Sequence, residues 1–139
     1  MERELTLYND VGQIAALAAF VEGVSDELGL DAALTFNLNL VLEEAVTNVI
    51  MYAYPQDEQH DMTLKAWTEG NDTLAFELKD QGVPFNPIAE APEVDTTLSA
   101  EERNIGGLGI FLIKQIMDEV SYKYEKESNI LTMKKKLHS

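Results

Sequence analysis

A chain of 139 residues with 45% hydrophobic side chains can bury one core, which excludes a disordered tail or linker. Its 25 Asp and Glu against 10 Lys and Arg leave a formal charge of -15. That argues against nucleic acid and against an anionic membrane surface, since both need a Lys/Arg footprint. With no cysteine, disulfides and thiolate metal sites are excluded, and a reducing cytoplasm is the expected setting.

Met1-Glu2-Arg3-Glu4 opens no apolar signal stretch, and no apolar run of the roughly 18 residues needed to cross a bilayer is present. Residues 4–8 alternate polar and apolar, as a short strand does. Asp10 followed by Gln13 resembles a capping box. Ile14, Leu17, Ala18, Val21, Val24 and Leu28 then recur at helical spacing, and Gly29 offers a stop. Asp31 is placed to cap a second helix running to Ala53, before Pro55. Residues 62–68 and 73–79 read as strands joined by a turn over 69–72. Three of the four prolines fall between Gly82 and Gly109. Residues 88–104 carry Glu90, Glu93, Asp95, Glu101 and Glu102 against Arg103 alone, a long polar connection of the kind that serves as a lid. A third helix is expected over 108–118. Strands over 119–125 and 129–136 close the chain as a hairpin. No repeat or linker divides the chain, so residues 1–139 are expected to form a single domain. The element order predicts an α+β fold, a two-layer sandwich with helices on one face of a mixed, mostly antiparallel sheet.

Three stretches carry chemistry. On the second helix, at about 100° per residue with Glu44 at 0°, the apolar side chains fall between about 60° and 180° and Asn48 falls near 40°. Glu44 and Asn48 are thus neighbours one turn apart at the border of the core. A carboxylate there suits a base, and an amide oxygen suits a hard cation such as Mg²⁺. The bland alternative is a solvated Glu and an Asn bonded to backbone. Asp80 ends a strand, where it can accept from an exocyclic amine such as adenine offers, and Gly82 permits close approach of a flat base. An ordinary Asp-x-Gly turn is the alternative. Gly106, Gly107 and Gly109 stand just before the expected third helix. Converging backbone N–H groups there favour anions, though a simple hinge loop is the alternative. His60 and His138 lack a ligand cluster and read as surface residues. Trp67 and Phe76 read as core, and Tyr122 and Tyr124 share a strand face.

In these stretches the chain resembles the GHKL ATPase superfamily, whose fold is the Bergerat sandwich. More narrowly it resembles the anti-sigma factor serine-protein kinases and their stand-alone histidine-kinase-like ATP-binding relatives. Glu44-Ala45-Val46-Thr47-Asn48 is similar to the family's N box, Asp80-Gln81-Gly82-Val83-Pro84-Phe85-Asn86-Pro87 to its G1 box, and residues 106–118, opening Gly106-Gly107-Leu108-Gly109, to its G2 box. Asn129-Ile130-Leu131-Thr132-Met133 is similar to its closing strand. Tyr52 departs from the pattern, standing where relatives often place a His.

The resemblance implies an ATP- or ADP-binding, Mg²⁺-dependent serine/threonine kinase that phosphorylates a STAS-type antagonist in a partner-switching system. It also implies a homodimer that holds a sigma factor or another effector. A nucleotide-gated binding module without turnover is the alternative. Glu44 would be the general base and Asn48 the Mg²⁺ ligand. Asp80 would take the adenine amine, Gly82 would let the base lie flat, and Thr132 would support Asp80 through water. Gly106, Gly107, Leu108 and Gly109 would line the phosphates beneath a lid over about 88–105. Arg103, the lone lid cation, is a further candidate for the phosphates, with a salt bridge to Glu101 or Glu102 as the alternative.

Overall fold

The computed structural model describes residues 1–55, 58–84, 86 and 105–137, with backbone alone over 105–110. Strand β1 (Glu2–Tyr8) leads through a single 3₁₀ turn into α1 (Ile14–Leu28), followed by α2 (Ala32–Asn48). The second helix continues without a break as a π-helical segment, Val49–Ala53. Strands β2 (Asp61–Glu69) and β3 (Thr73–Asp80), helix α3 (Ile105–Ile116), and strands β4 (Glu119–Glu125) and β5 (Ser128–Lys136) complete the described chain.

Local signals account for the ends of these elements. The Asp31 carboxylate accepts the Leu34 N–H at 2.7 Å, capping α2. Gly29 closes α1 in the left-handed region at φ 66°, where a Cβ would be strained. The capping box expected at Asp10 does not form. Asp10 accepts from Gly12 N at 3.0 Å, and the Gln13 amide oxygen turns instead to Tyr8 N at 3.4 Å. One 3₁₀ turn therefore precedes α1, and the helix begins later than a reciprocal cap requires.

The five strands pair in the order β1-β2-β3-β5-β4, and all four pairings are antiparallel. Register puts Leu5, Leu64, Leu78, Leu131 and Tyr122 in one transverse row and Ala66, Phe76, Met133 and Val120 in the next. Those rows face the helices and join Leu17, Val21, Leu38, Val41, Leu42 and Ile113 in one core. Helix α2 packs against both α1 and α3, which makes it the central helix of the upper layer. The opposite parity of the strands, with Glu4, Lys65, Glu77 and Thr132, forms the outer face. Trp67 lies on that outer face opposite Ala75, with its indole N–H on Glu69 at 3.2 Å. It is therefore not the core residue that its composition suggested, whereas Phe76 is fully buried.

The β4–β5 hairpin turns on two residues, with Lys126 at φ 52° and Glu127 at φ 62°. Both lie where side chains with a Cβ are strained and where Asn-Gly is favoured. Replacing Lys126-Glu127 with Asn-Gly should therefore stabilise the fold by about 1 kcal/mol. The check is a raised urea midpoint with an unchanged slope.

Candidate functional site

The core face of the sheet becomes polar at one end. Below the Leu5-Leu64-Leu78-Leu131 row, Met62 faces Asp80, and Asp80 faces Asn129. A small pocket with about 20 Å³ of room for water opens there, lined by Ala45, Asn48, Val49 and Ala53 from the helix side and by Leu78, Asp80, Tyr122, Asn129 and Leu131 from the sheet. Its mix of apolar walls with a few convergent polar groups is that of a small-molecule site.

Asn48 reaches this cavity from the last turn of α2. It is 6% exposed, and its side chain makes no hydrogen bond among the described residues. A buried amide without a partner among these residues is costly, which suits a group able to bind it. The backbone-bonded alternative for Asn48 is not what the fold adopts. The π-helical segment that follows widens the helix beside the cavity, a device common at functional sites.

Asp80 enters from the other side, at the end of β3, and is 4% exposed. Its Oδ1 accepts from Asn129 Nδ2 at 2.9 Å and from Gly82 N at 2.9 Å. The Asp-x-Gly turn is thus real, and it leaves Oδ2 with no hydrogen bond among the described residues. Burial pushes the Asp80 carboxyl above its ordinary value, against the pull of the Asn129 amide and the Gly82 N–H.

Asn129 is the residue that motif reading missed. Its amide also donates to Val83 O at 2.9 Å, and its oxygen accepts from the Tyr122 hydroxyl. Thr132, expected to support Asp80, does not. It stands three residues on, opposite Glu77 and Ser121, on the outer face. Strand alternation places it on the far side of the sheet from Asp80. Leu131 and Met133 are buried at the parity of Asn129, and that alternation was the available signal.

Gly82 also makes a close contact with the helix. A Cβ there would lie 2.3 Å from the carbonyl oxygen of Ala53, and Val83 N donates to that same oxygen at 2.9 Å. The glycine lets the turn press against the π-helical segment. Gly82→Ala should cost about 1–3 kcal/mol through overpacking against backbone that cannot yield. Thermal melting of the purified variant checks this.

Glu44 is half-buried one turn before Asn48, but it does not line the cavity. Burial, and secondarily the neighbouring Glu43 carboxylate, raise its pKa. Gly106, Gly107, Leu108 and Gly109 lie inside α3, which begins at Ile105 rather than near 108. The glycines thus occupy the first turns of the helix instead of a loop before it. Arg103, His138 and lid residues 88–104 lie outside the described residues. His60 is partly covered, stacked on Tyr54 with ring centroids 4.3 Å apart. Among the described residues, no three His, Cys, Asp or Glu side chains converge as a metal site, and no helix is long and apolar enough to cross a membrane.

Known proteins share the family and the fold. The sequence profile of the histidine kinase-like ATPase domain matches residues 7–135, and the chain belongs to that family. The serine-protein kinase RsbW of Listeria monocytogenes serovar 1/2a is 27% identical over 117 residues, covering 82% of this chain and 74% of its own. The serine-protein kinase RsbW of Staphylococcus epidermidis is 26% identical over 134 residues, covering 94% of this chain and 84% of its own. Among solved structures, that of the RsbU and RsbW domains of Rv1364c from Mycobacterium tuberculosis superposes with a TM-score of 0.70 at 14% identity. The match covers 99% of this chain, which spans about a third (32%) of that protein. The histidine kinase domain from Erythrobacter litoralis superposes at 0.55 over 87% of this chain and 61% of its own, with 13% identity. The α+β sandwich is therefore shared with kinase-like ATPases, and nucleotide use comes with the family.

Proposed function

We propose that the chain is an ATP-dependent serine/threonine-protein kinase and anti-sigma-type regulator that phosphorylates a STAS-type antagonist. The observation that carries this reading is the meeting of Asn48 and Asp80 on one pocket, where among the described residues the amide is unpartnered and the carboxylate has one oxygen unengaged. The free Oδ2 of Asp80 suits the adenine amine. The Asn48 oxygen suits Mg²⁺, which takes few protein ligands and completes its shell with phosphate and water. The amide fits that cation without a cluster of carboxylates. The glycine-rich start of α3 suits the phosphates.

In the reaction, the hydroxyl oxygen of the antagonist attacks the γ-phosphorus, the bond to the β-phosphate oxygen breaks, and ADP leaves. Glu44 takes the hydroxyl proton, and its raised pKa brings it nearer the working range of a base. The new phosphate adds about -1.5 to -2 of charge, which promotes release from a kinase of net charge -15. A sigma factor or another effector then takes the surface. A homodimer and a cytoplasmic setting belong to the same reading. A nucleotide-gated module without turnover is favoured by one observation, the absence of Glu44 from the cavity wall.

The test is incubation with Mg·ATP and a STAS-domain candidate, followed by mass spectrometry of the candidate. A gain of one phosphate that needs the kinase supports the proposal. ATP binding without transfer to any such candidate supports the module.

A further inference from the structure

The two ends of the cavity stand on different elements, Asn48 on the helix layer and Asp80 on the sheet. Something must fix their separation. One tie between them, Tyr54, lies outside the motifs that carry the nucleotide reading. It follows the π-helical segment directly and is 8% exposed. Its hydroxyl accepts from Gln81 N at 2.7 Å and donates to Asp61 O at 3.3 Å. Gln81 is the residue after Asp80, and Asp61 opens the neighbouring strand. The ring is held flat against His60, with centroids 4.3 Å apart and planes 9° from parallel. His60 is itself fixed by its N–H to Asn9 Oδ1 at 2.7 Å and by its ring nitrogen on Glu58 at 2.9 Å.

The neighbouring bond completes the attachment. Val83 N donates to Ala53 O at 2.9 Å, so residues 81 and 83 are bound to residues 54 and 53 in turn. Between them, Gly82 leaves no space for the turn to slide. The segment from Asn48 through Ala53 is continuous helix, so a pull on the Asn48 amide passes to Gln81 without a hinge.

We propose that Tyr54 is a positioning residue that ties the Asn48 end of the cavity to the Asp80 end, so that a cation at one end tightens the hold on the base at the other. This rests on the nucleotide reading above. The Tyr54 hydroxyl suits the role, because one oxygen must accept from Gln81 and donate to Asp61. Burial, the largest influence on it, raises the Tyr54 pKa and keeps the hydroxyl a donor.

The experiment is calorimetric titration with ADP, in excess Mg²⁺ and in EDTA, of the full chain and of Tyr54→Phe. In the unaltered protein, Mg²⁺ should tighten ADP binding by about tenfold or more, within the usual range for coupled sites. In Tyr54→Phe the gain from Mg²⁺ should shrink below about threefold. An equal loss of affinity with and without Mg²⁺ overturns the proposal, because a residue that merely shapes the turn acts on both alike. Unchanged affinities overturn it too. If the unaltered protein binds no ADP at all, the nucleotide reading itself fails, a result separable from failure of the coupling. Should Tyr54→Phe not fold, hydrogen exchange on the unaltered protein decides the matter. Adding Mg²⁺ to the ADP complex must slow exchange at residues 81–83, and no slowing there overturns the proposal.

Discussion

Glu44→Gln should cut phosphoryl transfer to the antagonist by about 10²–10⁴-fold, the usual share of a general base. ADP affinity should stay within about threefold of the parent, because Glu44 does not line the cavity. Gln keeps the shape of Glu and removes a half-buried charge that repels Glu43, so the fold should be no less stable. Because a base must be ionised, transfer should fall as pH drops through the raised pKa of Glu44, beginning above the ordinary value of 4.5. Its stability effect runs the other way. The raised folded pKa favours the fold below the unfolded value, and that contribution is lost as pH rises through the folded one. Single-turnover rates across pH check the first and urea midpoints across pH check the second, for parent and variant alike. A variant within tenfold of the parent rate would remove Glu44 from the mechanism and favour the binding module.

Asp80→Asn should weaken ADP by about 30-fold or more while leaving the unliganded protein as stable or more so. The asymmetry follows from the two carboxylate oxygens. Asn retains an oxygen for Asn129 Nδ2 and Gly82 N, so the contacts that hold the turn survive. It puts an N–H₂ where Oδ2 stood, and two donors then face each other when an adenine amine arrives. A buried, unpaired charge is meanwhile removed, and burial is the main cause of the raised Asp80 pKa. A melting temperature that holds or rises, together with lost affinity, is the expected pair. Equal ADP affinity in the variant would separate Asp80 from the base.

The strands, the caps at Asp31 and Gly29, and the hairpin were legible because short-range rules decide them. Alternation set residues 62–68 and 73–79 as strands, and helical spacing carried α2 to Ala53. The passage of that helix into π geometry was not legible, because no local residue signal marks it. The Glu44–Asn48 spacing and the pairing of Asn48 with Asp80 were readable from helix geometry and motif order. The support of Asp80 was not. Thr132 and Asn129 differ by three residues, an odd number, so they fall on opposite faces of the sheet. Alternation sorts the two by face, and the long-range pairing of β3 with β5 brings Asn129 opposite Asp80. The start of α3 was misplaced because glycines lower helix propensity, and tertiary packing overrides that local preference. Tyr54 carried no sequence signal, since its role exists only through the backbone of Gln81.

The central claim is that one nucleotide spans the cavity, its base at Asp80 and its metal at Asn48. The most direct measurement follows the side-chain amide signals of Asn48 and Asn129 by ¹⁵N NMR during titration with Mg·ADP. The account predicts that both sets move with a single saturation curve. It also predicts that Asn48 responds to Mg²⁺ in the ADP complex more strongly than Asn129 does. Folded protein in which neither amide moves, or in which shifts gather on the outer face near Lys65 and Lys79, would contradict it.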